Sequence, residues 1–376
     1  MGKISSKERV LKSLDFQVPD RVPLDIGGTN VTSFHIEVEK KLKNSLNITE
    51  GESQLSSHKM KAVIPGEKLL NYFGSDTRCI CLHESKPWGK RDDGTWVDEW
   101  GIGFRESPDG YYYEFVSHPL RDAEISGIEN HPWPDPYSEK RIEGLKERAV
   151  ELSKEYCVVL EGTREPIFGL ATWLRGYEQF LMDLVTNQAF VNALLERLFE
   201  FWKSCLGFVL RELGSYIDVI KIADDLGTQT GLLISPSTYR QLVKPYHTKL
   251  FNFIKEQGNF KLLLHSDGAV RDIIPDLIEM GVDALNPIQP NIPGMDPESL
   301  KSEFGKKLAF WGGGIDTQST LSFGTPDEVK KEVKKRVEIL KRDGGYVFAQ
   351  VHNIQPEVPV ENILAMYEAF SECALY

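Results

Sequence analysis

Eight apolar runs of strand length punctuate the chain, and their repetition restricts the folds open to it. They lie at residues 21–26, 77–82, 157–161, 217–222, 260–265, 284–288, 307–311 and 345–350. Short runs of this kind read as strands buried on both faces, as parallel sheets demand. Between most of them lie segments with a 3.6-residue apolar period. Helix starts are marked chemically. Thr325-Pro326-Asp327-Glu328 is a capping box with proline in the first turn, and Ser235-Pro236 and Asp296-Pro297 repeat the cap-then-proline order. Val329, Val333, Val337 and Leu340 then share one helix face, and Gly344-Gly345 stops that helix before the last strand. Strand–helix alternation repeated eight times predicts an α/β fold of the (β/α)8 type, a TIM barrel. A doubly wound open sheet would more often carry a glycine-rich dinucleotide fingerprint after its first strand. Asp25-Ile26-Gly27-Gly28-Thr29-Asn30 does not supply one.

One segment breaks the rhythm, at about 86–136. Alternating residues from Trp96 to Phe104 precede a Pro108-Asp109-Gly110 turn, and Tyr111 to Val116 follow it. This pattern predicts a β-hairpin inserted near the barrel mouth of a single domain spanning 1–376. Its aromatic residues suit a pocket wall, packing on the barrel rim or a homodimer contact.

Charge and composition exclude several classes. Lysine and arginine number 44 against 56 acids, a net charge of −12, and no basic cluster offers a surface for nucleic acid. The densest basic run, 330–341, is interleaved with Glu332 and Glu338 and reads as a solvated helix face. No stretch approaches the ~18 apolar residues of a membrane span. The first residues lack a signal-peptide core and read as an amphipathic helix with Val10, Leu11, Leu14 and Phe16 on its apolar side. Five irregularly spaced cysteines imply no disulfide framework, so a cytoplasmic location is expected. Cys79 and Cys81 share one strand face. They read as small core residues, with metal ligation as the alternative.

In such a barrel the chemistry sits at the carboxyl ends of the strands. Reading these off in order gives Asp25; His83 with Glu84; Glu161, Arg164 and Glu165; Asp224 and Asp225; His265 and Asp267; Asn286 and Gln289; the stretch Trp311-Gly312-Gly313-Gly314-Ile315-Asp316; and His352 with Asn353. The sharpest pair is His265-x-Asp267, because an i, i+2 spacing on an extended segment points both side chains the same way. Imidazole and carboxylate can grip one divalent metal there, with His352 reaching across the mouth as a third ligand. The competing reading has His265 and Asp267 bonding each other, or Asp267 capping the next helix. Asp224 and Asp225 are adjacent, so at most one of them faces the site. The triple glycine suits either an anion approached by backbone N–H groups or a tight turn. No serine or cysteine nucleophile motif occurs.

These residues, taken with several longer stretches, resemble the uroporphyrinogen decarboxylase superfamily, which also holds zinc-dependent, corrinoid-linked methyltransferases. The resemblance is carried by Glu165-Pro166-Ile167-Phe168-Gly169, Asp225, Leu233-Ile234-Ser235-Pro236, Leu242-Val243-Lys244-Pro245-Tyr246, His265-Ser266-Asp267-Gly268, Gly314-Ile315-Asp316 and Gly324-Thr325-Pro326-Asp327-Glu328-Val329. It implies a (β/α)8 barrel. The decarboxylase branch resembles a site with arginines in the loop after the first strand, whereas residues 25–35 here contain neither arginine nor lysine. His352 matches a functional histidine of that branch, and Trp173 falls near its tyrosine. In the methyltransferase branch zinc sits on a His-x-Cys pair plus a later cysteine. His265-Ser266-Asp267 matches in frame with Asp267 in place of the thiolate, and His352 stands nearest the later position.

The resemblance therefore implies a methyltransferase that moves a methyl group between a small-molecule donor or thiol acceptor and a corrinoid protein. A divalent metal, zinc by first expectation, would be held by His265, Asp267 and His352. Asp225 or Glu161 would orient a ligand or move a proton, with His352 also a catalytic candidate. Gly312, Gly313, Gly314 and Trp173 would contact the cofactor. Two alternatives stand beside this reading: decarboxylation of a tetrapyrrole acid, and a corrinoid- or tetrapyrrole-binding protein without catalysis.

Overall fold

A computed structural model describes residues 4–163 and 165–376; Arg164 lies outside the described residues. Seven parallel strands follow one another in chain order around the barrel. They are β1 (Thr77–Cys81), β2 (Cys157–Glu161), β3 (Val219–Ala223), β4 (Lys261–His265), β5 (Ala284–Asn286), β6 (Ala309–Trp311) and β7 (Tyr346–Val347). The expected first strand, 21–26, fills the remaining gap without forming a ladder. Leu24 bridges Phe348 in parallel, and the Asp25 N–H donates to the Phe348 carbonyl at 2.8 Å. On the other side the Asp76 N–H donates to the Leu24 carbonyl at 2.8 Å. Pro23 has no N–H to give. The N–H groups of Leu24 and Ile26 are taken by the side chains of Asp76 and Ser75 instead of a neighbouring strand. The barrel is therefore closed by single bridges at this seam.

Side-chain alternation sorts the strands into two layers. The outward residues, such as Ile80, Leu160, Ile220, Leu264 and Phe310, join the helices in one large core. The inward residues Cys157, Val159, Val219, Leu263, Ala284, Ala309, Trp311 and Val347 form a separate cluster inside the barrel. Val10 and Leu14 of the first helix, Ser6–Leu14, join that inner cluster and plug the amino-terminal end. Phe16, expected on the same helix, lies just past its end in a left-handed conformation and packs onto the cluster. The expected caps at Thr325, Ser235 and Asp296 each accept a backbone N–H.

The carboxyl-terminal end carries a roof of two small sheets. The strands Gly89–Lys90, Trp96–Val97, Gly103–Glu106 and Tyr113–Ser117 form an antiparallel meander. The hairpin around Pro108-Asp109-Gly110 is present, pairing Phe104 with Phe115 and Glu106 with Tyr113. Its first strand begins later than the alternation suggested. Asp98 accepts from the N–H groups of Trp100 and Ile102 and turns the chain, so Trp100 packs into the core beside Phe201 and Trp202. A second sheet, Phe34–His35 with Ala62–Ile64 and Gln54–Ser57, had no clear sequence signal because 54–57 carries little apolar alternation. The two sheets are joined where the Tyr113 N–H donates to the Lys59 carbonyl at 2.8 Å.

Asp76, fully buried at the head of β1, ties the plug to the seam. It accepts from Arg9 at 2.6 Å, from Arg21 at 2.7 Å, from Ser6 at 2.8 Å and from the Leu24 N–H at 2.8 Å. Removing one partner of a buried ion pair strands the other charges. Asp76→Ala is expected to lower stability by about 3–5 kcal/mol in urea unfolding, whereas Asp15→Ala, removing an exposed pair with Lys261, is expected to cost at most ~1 kcal/mol.

Candidate metal centre

Under the roof, at the carboxyl ends of β3, β4 and the closing seam, lies a cavity of about 250 Å³. Its polar wall holds His265, Asp267, His352, Asp225 and Glu165. Its apolar wall holds Val31, Met60, Phe104 and Trp173. The His265 Nε2 atom is 3.9 Å from the Asp267 carboxylate and 3.8 Å from that of Asp225, and His352 Nε2 is 3.7 Å from Asp267. One donor atom from each of His265, Asp267 and His352 falls within a 4.8 Å span. Atoms that each stand ~2.0–2.2 Å from a common ion are roughly 3–4 Å apart; the His265–Asp267 and His352–Asp267 distances fall in that range, so these residues could hold a divalent cation through nitrogen and oxygen.

The alternatives open in the sequence are not realised. At 3.9 Å, His265 and Asp267 are too far apart for a hydrogen bond. The turn that follows, Arg271–Ile273, has Val270 at its cap and no side-chain cap. Among the described residues the Asp267 Oδ1 atom is buried with no hydrogen-bond partner, while its Oδ2 atom faces the two histidines. A cation held between Oδ2 and the two imidazoles would offset the cost of keeping this half-buried carboxylate charged.

Backbone contact between two exit loops places these groups. A Cβ on Gly268, at φ +90°, would stand 2.3 Å from the Gly227 carbonyl carbon, and one on Gly227 would stand 2.6 Å from the Asp267 carbonyl oxygen. Only glycine permits this approach. The Asp225 carboxylate then accepts the Asp267 N–H at 2.9 Å, and Gln289 Oε1 accepts the Gly268 N–H at 2.5 Å. His265 Nδ1 lies 2.6 Å from Asn286 Oδ1, across the β4–β5 pairing that sets these two residues side by side. Burial pushes the His265 imidazole below its ordinary pKa against the pull of Asp267 and Asp225. Burial, then the Asp225 charge, pushes the Glu165 carboxyl well above the usual carboxylate range, with Lys59 opposing.

A family model, Uroporphyrinogen decarboxylase (URO-D), matches residues 109–373. The chain belongs to this family. A uroporphyrinogen decarboxylase of Thermus thermophilus is 25% identical over 269 residues, 69% of this chain and 72% of the relative. The enzyme of the same name from Vesicomyosocius okutanii is 23% identical over 250 residues, 60% of this chain and 67% of the relative. The solved structure of a methyltransferase from Methanosarcina mazei superposes with a TM-score of 0.66 over 98% of this chain and 99% of its own, at 20% identity. That likeness is one of fold, and it agrees with the (β/α)8 barrel.

The family's barrel gathers some of the expected residues and separates others. Trp173, on the helix Phe168–Arg175, faces the cavity. Asp225 faces it too, while the adjacent Asp224 turns away. Asp224 is buried, accepts the N–H groups of Ile167, Phe168 and Gly169, and lies 2.8 Å from His247 Nε2. Glu161 does not line the cavity: its carboxylate is held by Lys221 Nζ at 3.2 Å and by the Asn30 N–H at 3.2 Å. Nor do Gly312, Gly313 and Gly314. The N–H groups of Gly312 and Gly314 donate to the carbonyls of Val347 and Ala349, and Cβ atoms on the three would press on Asn286, Ile288 and the Phe348 ring. Close packing accounts for the triple glycine, with no amide left for an anion at Gly312 or Gly314. His83 and Glu84 do not line the cavity; they border two other hollows, one of which shares Glu165 and Trp173 with it. Asp25 is buried inside the barrel, accepting from Trp311 and Thr77, and burial pushes its carboxyl up. Asp316 caps its own loop through Gln318 and Ser319. Cys79 and Cys81 are buried thiols, and the Cys81 contact together with burial pushes the Cys79 thiol up.

Lys221, Lys59 and Met60 line the cavity without having been singled out in the sequence. Lys221 had a usable signal, a lysine in the middle of the apolar strand Val219-Ile220-Lys221-Ile222-Ala223. Lys59 and Met60 had none, since they sit on the turn of the unanticipated roof hairpin.

Gly268→Ala tests the loop contact. The left-handed backbone and the clash with Gly227 are expected to cost at least ~1–3 kcal/mol, read by thermal unfolding. Gly281, also left-handed but with open space at its Cβ, supplies the control: its alanine variant should show the smaller backbone penalty alone.

Proposed function

We propose that this chain is a metal-dependent methyltransferase that moves a methyl group between a small molecule and a corrinoid carried by a partner protein. The observation that carries the reading is the convergence of His265 Nε2 and His352 Nε2 on the Asp267 Oδ2 atom, at 3.9 and 3.7 Å, with one donor atom of each residue within 4.8 Å of the others. Two histidines and one carboxylate leave coordination positions open, as a catalytic ion requires. A divalent ion bound there supplies Lewis acidity to the heteroatom that gives or takes the methyl group.

The chain's own residues supply the rest. His265, Asp267 and His352 would hold the ion, and Asp225 holds the Asp267 backbone in place. Glu165 faces the cavity with a carboxyl that burial and the Asp225 charge push well above the usual carboxylate range, which favours its acid form and suits it to give a proton to a leaving heteroatom. Phe104, Met60 and Trp173 keep water from the apolar wall. At about 250 Å³ the cavity is below the ~300–1,000 Å³ range of pockets for drug-sized ligands, so it encloses a small substrate and leaves a corrin ring outside. Zinc is the first expectation for the ion; the absence of thiolate ligands also suits harder divalent ions.

A second reading is favoured by the names of the curated relatives: decarboxylation of a porphyrinogen acid. The cavity size and the loop 25–35, which has no arginine or lysine to pair several carboxylates, weigh against it.

Protein purified without chelator is expected to hold stoichiometric divalent metal, and His265→Ala to lose it. Metal-free, folded wild-type protein that cannot be loaded would sink the proposal. Because Lewis-acid stabilisation is worth several kcal/mol, the same variant should lose at least ~10²-fold in the rate of corrinoid methylation or demethylation. Glu165→Gln should keep the metal and lose about 10²-fold or more in that rate. Turnover of a porphyrinogen that is indifferent to chelators would establish the second reading instead.

A further inference from the structure

The Asn286 side chain has no freedom of orientation. Its Nδ2 donates to the Trp311 carbonyl at 2.8 Å, and the missing side chain of Gly312 leaves the room it needs, since a Cβ there would stand 2.8 Å from Nδ2. A backbone carbonyl can only accept. Turning the amide over would set two oxygens face to face, so Oδ1 must be the atom that points at His265. That oxygen is also only an acceptor, and His265 Nδ1 lies 2.6 Å from it. Both side chains are almost wholly buried, at 1% and 4% exposure, so no solvent competes for the bond.

We propose that Asn286 is a positioning residue that forces the proton of neutral His265 onto Nδ1, leaving the Nε2 lone pair on the side of Asp225, Asp267 and His352. A free histidine side chain ordinarily prefers the opposite tautomer, with the proton on Nε2, which would place a donor where an ion has to bind. Partners of this kind orient metal-binding histidines and raise their basicity. The chain Trp311 carbonyl, Asn286 amide, His265 imidazole thus runs from the β6 backbone to the cavity wall. His352 has no such support: among the described residues no hydrogen bond holds its ring, and its nearest charged neighbour is Asp267 at 3.7 Å. The role of Asn286 in metal binding rests on the metal reading above, but the tautomer itself does not.

The test separates the two. Full-length, metal-free protein with isotopically labelled histidine is examined by nitrogen NMR at mildly alkaline pH, with the His265 signals assigned by their loss in His265→Gln. The expected wild-type pattern is a proton on Nδ1; a proton on Nε2, or an even mixture, overturns the proposal. Asn286→Leu should release the tautomer and weaken zinc binding about 10–100-fold by calorimetric titration. Wild-type protein that shows the Nδ1 proton but binds no zinc would uphold the tautomer and sink the metal reading. Zinc binding of equal strength in wild type and in a folded Asn286→Leu would overturn the role of Asn286 while leaving the metal reading intact. Should Asn286→Leu not fold, the wild-type spectrum alone decides the tautomer.

Discussion

Period-two alternation along buried parallel strands governs this molecule. Each strand has a helix-facing side and an interior side, and a barrel of this size has no room for water in its middle. Near the amino-terminal end the interior is closed by Val10, Leu14, Cys157 and Val219. Farther along, the same inward positions become Glu161, Lys221, His265 and Asn286. Polar groups are tolerated there because each has a partner or faces the cavity. Glu161 neutralises Lys221, and Asn286 satisfies His265. Two residues earlier on the same strands, such groups would meet a dry interior without acceptors.

The barrel presents the strand ends, and loop contacts decide which of them meet. Gly227 and Gly268 let the exits of β3 and β4 touch backbone to backbone. That contact brings Asp225 under the Asp267 amide and leaves Asp224 to cap the helix Phe168–Arg175. Adjacent aspartates thereby take unrelated tasks, one beside the candidate metal ligands and one in the frame that carries Trp173. The roof acts in the same way from above, closing the mouth with Phe104, Met60 and Lys59.

What was legible in the sequence follows from how local each signal is. Seven of the eight expected strands form ladders, because an apolar run of five or so residues is a property of the run itself. The run 21–26 carries the same hydrophobicity but includes Pro23, and the acceptors of Ser75 and Asp76 replace its ladder. The hairpin at Pro108-Asp109-Gly110 was readable from its turn chemistry, whereas the sheet containing Gln54–Ser57 was not. At the site, His265, Asp267 and His352 were legible as strand ends. Glu161 and the triple glycine were also strand ends, yet the structure commits them to an ion pair and to packing.

The sequence by itself determined the alternating architecture, the helix caps and the polar character of the strand ends, because each depends on residues within a few positions of one another. It also carried the family, through motifs spread over most of the chain. Only the tertiary structure decided which polar ends share a cavity, how small that cavity is, and which nitrogen of His265 faces it. Those outcomes depend on contacts between residues tens of positions apart, such as Asn286 with His265 or Asp267 with His352. The spacing of residues along a strand cannot specify the loop conformations and interstrand pairing that create them.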